Sequence, residues 1–138
     1  MIQRIQSVYL LLSSLFFTFF LLFPVFNITT ETGIIAEKAT ENTYFIVLAT
    51  TLILGSLGNV FLYKNRVLQK NVGWLLLLLN IFLVGIMGYH FYLEGRAENT
   101  VSIAFGTIFP VITLIFIPLA IYNINKDEKL VRSLDRLR

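Results

Sequence analysis

The sequence predicts an all-α integral membrane protein. The expected architecture is a bundle of four transmembrane helices with both termini in the cytoplasm and a short amphipathic C-terminal helix. Three observations carry this. First, the 138 residues are 57% hydrophobic and only 14% charged, with a mean hydropathy of +0.78. Soluble domains carry about 25% charge, and a soluble fold of this length could not hide so many apolar side chains. Second, four apolar stretches each approach the roughly 20 residues that cross a 30 Å hydrocarbon core. Third, the basic residues fall mainly on alternate connectors.

The first stretch, residues 8–26, carries no charge. Its 19 residues exceed the 7–15 of a signal-peptide core, and no small-x-small cleavage pattern follows Pro24, so it is read as a retained span. The others are residues 44–63, 72–93 and 101–122, all in a single domain. In hydrocarbon every backbone polar group must bond within its own segment, which makes these spans helices. Residues 27–43, 64–71 and 94–100 connect them, and residues 123–138 form a tail.

With the N-terminus inside, the cytoplasmic segments hold Arg4, Lys64, Arg66, Lys70, Lys126, Lys129, Arg132, Arg136 and Arg138, against Asp127, Glu128 and Asp135. The outside holds Lys38 and Arg96 with Glu31, Glu37, Glu41, Glu94 and Glu98. Positive charge favours the cytoplasmic side of short loops, so N-in and C-in is the expected direction. Aromatic residues that favour the headgroup level agree: Tyr9, Tyr63, Trp74 and Tyr122 fall at inner ends, and Tyr44, Tyr89 and Tyr92 at outer ends.

Helices in lipid meet through small and amide-bearing residues. The expected packing positions are Thr51, Gly55 and Asn59 with Gly58 in the second span, and Asn80, Gly85 and Gly88 in the third. Ser102 and Gly106 serve the fourth, and Ser14 and Thr18 the first. Contacts within one bundle are favoured over a dimer interface. Pro110 and Pro118 are expected to kink the fourth span.

Chemistry is scarce. With no Cys and one His, thiolate sites and disulfides are excluded, and neither a metal nor another cofactor is expected. The spans contain no Asp, Glu, Lys or Arg, and intramembrane ionisable residues are the usual mark of proton relays and coupled transport. His90, the one imidazole, is expected to be a solvated residue at the outer interface; the alternative is a pair with Glu94, four residues on, which could sense external pH. The outer connector 27–43, with Glu31, Glu37 and Glu41, reads as solvated, and its Asn27-Ile28-Thr29 matches a glycosylation pattern used only in a eukaryotic secretory context. No phosphate loop, nucleophile elbow or zinc helix is found. In the tail, Leu130, Leu134 and Leu137 make one apolar stripe flanked by Lys129, Arg132, Arg136 and Arg138. Such a helix suits an anionic inner leaflet, a protein partner, or the chain's own 64–71 loop.

The opening string 1–9 (MIQRIQSVY), the closing string 126–138 (KDEKLVRSLDRLR) and the inner loop 63–69 (YKNRVLQ) resemble those of a family of small membrane proteins from Bacteroidota, catalogued as a domain of unknown function. The resemblance spans essentially the whole chain. It implies four helices and a bacterial inner-membrane location, and it brings no catalytic residues. The expected function is a non-enzymatic accessory protein. Its basic inner face (Arg4, Lys64, Arg66, Lys70, Lys129, Arg132, Arg136 and Arg138) would meet anionic lipid, another membrane protein or a second copy, and no nucleic acid. The alternative is a small transporter or channel with Asn59, Asn80 and the Pro110 kink along its path. A lipid-modifying enzyme relying on His90 is the least favoured.

Overall fold

The computed structural model describes residues 5–30, 33–96 and 100–135, with the side chains of Arg96 and of residues 130–135 outside that description. Four helices are long and apolar enough to cross a membrane. They are α1 (Ile5–Leu22), α2 (Thr43–Phe61), α3 (Arg66–Arg96) and α4 (Ile108–Asp135). At 1.5 Å per residue, α3 and α4 reach about 46 and 42 Å, so both exceed a hydrocarbon core. Each helix packs on two neighbours, α1 on α2 and α4, and α3 on α2 and α4.

The inward faces share one spacing. On α1 the buried residues Gln6, Leu10, Ser13, Phe17 and Phe20 follow it, with Ser14 also buried beside Ser13, and on α2 the buried residues are Phe45, Ala49, Leu52, Ser56 and Asn59. On α3 they are Gln69, Gly73, Leu76, Asn80, Leu83 and Met87. Alternating steps of four and three are a 3.5-residue repeat, which keeps one face of a helix against its neighbours along its length. The opposite faces are equally apolar but exposed, as at Leu54 (69%), Leu78 (62%) and Ile115 (61%).

Aromatic rings join α1 to α4: Phe16 stacks on Phe116 (5.5 Å) and Phe109 (5.9 Å), and Tyr9 on Phe116 (6.0 Å). Small residues do less than their spacing suggests. Gly55 lies under the Leu76 side chain, but among the described residues nothing stands within 4 Å of a Cβ placed on Gly58, Gly85 or Gly88. Those three are exposed, as is Thr51, whose hydroxyl donates to the Val47 carbonyl of its own helix (2.7 Å). The close approach the sequence did not single out is Gly73, where a Cβ would stand 2.9 Å from Ile121.

At one end the connectors form a three-stranded antiparallel sheet in the order β2-β1-β3, from β1 (Pro24–Thr30), β2 (Gly33–Lys38) and β3 (Thr100–Ile103). The connector 27–43 stays largely exposed, as expected, but is folded into strands, which adds a β element to a mainly helical chain. The sheet also shortens two expected spans. The first ends at Leu22 rather than 26, because the residue before Pro24 is driven out of the helical region and Pro24 opens a strand. The fourth begins at Ile108 rather than 101, since 100–103 pair with β1: Ile28 faces Val101 and Phe26 faces Ile103. Ser102 therefore lies on a strand, where its hydroxyl donates to the Asn27 carbonyl (3.4 Å). Gly33, with φ +138°, opens β2 in a conformation that favours glycine.

Pro110 falls in the first turn of α4, where no intrahelical bond needs its missing N–H, so it does not bend the helix. Pro118 is the proline inside α4. The tail is not a separate helix, because α4 runs on without a break to Asp135.

Candidate functional site

The helix ends carry two different chemistries. At the sheet end, Phe26 and Val25 are buried against the helices and Gly106 lets β1 approach α4: a Cβ there would stand 2.5 Å from the Pro24 carbonyl oxygen. The Val25 carbonyl accepts from the Ala104 amide (3.0 Å) and the Thr107 hydroxyl (2.6 Å). This clasp sets β1 over His90, whose ring lies parallel to Phe26 (centroids 5.7 Å, 11°) and close to Tyr44 and Phe45.

His90 is not the solvated residue expected, its side chain being only 14% exposed, and it pairs not with Glu94 but with Glu37 of β2, Nε2 to Oε1 at 3.7 Å. The i+4 spacing is overridden because β2 brings a carboxylate to the ring from outside the helix. The Asn42 amide also donates to Glu37 Oε1 (2.6 Å). The pair thus joins β2, the entry to α2 and the end of α3. Among the described residues no three His, Asp or Glu side chains gather as metal ligands would. Glu31 and Glu98 lie outside the described residues.

At the opposite end lie the N-terminal end of α1, the 62–65 connector and the last turns of α4. Arg66 Nη1 donates to the Asp127 carbonyl (3.0 Å), and Lys70 pairs with Glu128 (3.6 Å). These two contacts tie the start of α3 to α4 just before the leucine stripe of the tail. Arg66 and Lys70 are accordingly half-buried, while Lys64, Lys126 and Lys129 are exposed. Arg4, Arg136 and Arg138, and the side chain of Arg132, lie outside the described residues, as does the Leu130, Leu134 and Leu137 stripe.

Between the ends, Asn80 is fully buried and its amide donates to Thr113 Oγ1 (2.9 Å) and the Pro110 carbonyl (3.3 Å), tying α3 to α4. Asn59 works through its backbone: its carbonyl accepts from the Leu62 amide and from Gln69 Nε2 (3.1 Å), which closes the end of α2. Thr113, Gln69 and Gln6 were missed in the sequence. Gln6 and Gln69 were legible in principle, because each continues the inward 3.5-residue spacing of its helix. A groove of about 420 Å³ between α1 and α2 is lined by Val8, Leu11, Leu15, Ile53 and Leu57 with Ser14 and Thr18. Its two hydroxyls donate to carbonyls of their own helix, Leu11 (2.8 Å) and Ser14 (3.0 Å).

The family model described as a domain of unknown function (DUF4293) matches residues 2–137. The chain belongs to this family. No curated protein and no solved structure matches it. The DUF4293 match covers both helix ends described above, the sheet with its His90–Glu37 pair and the basic end with its Arg66 and Lys70 contacts.

Proposed function

We propose that this chain is a non-enzymatic accessory protein of a bacterial inner membrane. It is a four-helix bundle with both termini in the cytoplasm, whose basic end holds anionic lipid headgroups and so seats it beside larger membrane complexes. The observation that carries this reading is the separation of surfaces. Apolar side chains cover the outward helix faces, and exposed Lys64, Lys126 and Lys129 gather at one end. Tyr63, Trp74 and Tyr122 also face outward near that end, as amphipathic rings do at a headgroup layer. The interior supports seating over passage. Phe17, Leu52, Leu83 and Ile117 are fully buried, which leaves the alternative of a transporter or channel with less support.

The test is lipid retention. The full chain purified in mild detergent is expected to keep anionic phospholipids in preference to zwitterionic ones by native mass spectrometry. Each basic residue near an anionic surface is worth about 1 kcal/mol, so replacing Lys64, Lys126 and Lys129 with Gln should lower retention at least about tenfold. Equal retention by the wild type and the triple variant would refute the reading.

A further inference from the structure

One layer of the helix packing is polar and lies toward the basic end. Its depth follows from contacts on each side. Phe20 of α1 meets Phe45 of α2 (5.8 Å). Fourteen residues, about four turns, lead from Phe20 to Gln6 and from Phe45 to Asn59, so antiparallel helices bring Gln6 and Asn59 to one level. The Asn59 amide nitrogen lies beside Gly73 of α3, 3.8 Å from where a Cβ would stand, and Gly73 faces Ile121 of α4. Gln69 stands one turn from Gly73 and Ser56 one turn from Asn59.

Gln6 and Asn59 are 1% exposed, and Gln69 and Ser56 are fully buried. Six of their side-chain atoms have no protein partner among the described residues: both polar atoms of Gln6, both of Asn59, Gln69 Oε1 and Ser56 Oγ. Burying an amide or hydroxyl without a hydrogen bond costs roughly 1–3 kcal/mol by mutational measures, and native proteins pair the large majority of such groups. Six unmet atoms on four residues in one region of the packing call for a guest that can pair with them.

We propose that these side chains form a binding site for water. The chemistry selects it. The four residues are neutral, which disfavours an ion, and they offer both donors and acceptors, which calls for a guest that does the same. Their burial excludes anything much larger. A buried water makes about three hydrogen bonds, so six atoms call for at least two molecules. The waters would bridge α1 to α2 and α3, much as Asn80 and Thr113 join α3 to α4 directly. This inference rests on the helix packing and not on the proposed lipid binding.

The experiment uses the full chain in nanodiscs, with the side-chain amides of Gln6, Asn59 and Gln69 observed by NMR. All three are expected to show cross-relaxation with long-lived water. Amide contacts to protein or to a larger bound molecule, without water, would overturn the site. A second arm compares Asn59→Leu and Gln6→Leu with the double variant. Each single change should raise the unfolding constant about tenfold by stranding its partners, and the double should cost less than the product of the two. A single leucine that stabilises the protein would show an orphaned amide and overturn the proposal. The wild-type spectrum decides the matter even if a variant fails to fold.

Discussion

Asn80 shows how much one side chain can settle. A primary amide within an apolar run must find a partner, because burying it unpaired is costly. The sequence therefore marks Asn80 as a helix-joining residue, and the structure supplies the partner in Thr113. That partner was not legible, since a threonine in an apolar helix can satisfy its hydroxyl on its own backbone, as Thr113 also does on the Pro110 carbonyl (2.7 Å). Interhelical bonds of this kind are worth about 0.6 to 1.7 kcal/mol. A double-mutant cycle with Asn80→Leu and Thr113→Val, followed by denaturation in detergent, should return a coupling in that range. Zero coupling would mean that the bond does not contribute.

The elements diverge from expectation mostly at the sheet end. β1 and β3 pair although more than 70 residues separate Phe26 from Ile103, and no local pattern announces such a pairing. Each strand is short and adjoins a long apolar helix, so hydropathy absorbs both into the neighbouring spans. Pro24 was the available signal for the break, and Pro110 the signal for a helix start rather than a kink. His90 then acts as a peg under the sheet, stacked on Phe26 and paired to Glu37. His90→Ala should loosen that end alone. Hydrogen exchange at Ile28 and Ile35 is expected to quicken by at least about tenfold, the equivalent of 1.4 kcal/mol, while the middle of α2 keeps its protection. Uniform quickening throughout would show that the sheet and helices unfold as one unit.

Across the whole molecule, similar leucines have different roles according to the face they occupy. Leu52 is fully buried and Leu54, two residues on, is 69% exposed. Truncating a buried leucine costs about 2–5 kcal/mol, whereas one that faces detergent leaves no internal cavity. Leu52→Ala should therefore lower the thermal midpoint in detergent clearly, and Leu54→Ala should change it little. Equal losses would point to an interface at Leu54 with a second copy.

Hydropathy and charge are properties of contiguous residues, so four apolar helices and a basic end could be read directly from the order of the chain. The inward 3.5-residue spacing was equally present, but where every face is apolar, periodicity does not separate the inside from the outside. Glu37 as the partner of His90, Thr113 as the partner of Asn80 and the common depth of Gln6 and Asn59 depend on how distant segments align. Such alignment is set by close packing at positions such as Gly73 and Gly106, where a Cβ would stand within 3 Å of the neighbouring chain. Only the folded arrangement, in which helices meet at a particular register, could choose among the pairings that the composition allows.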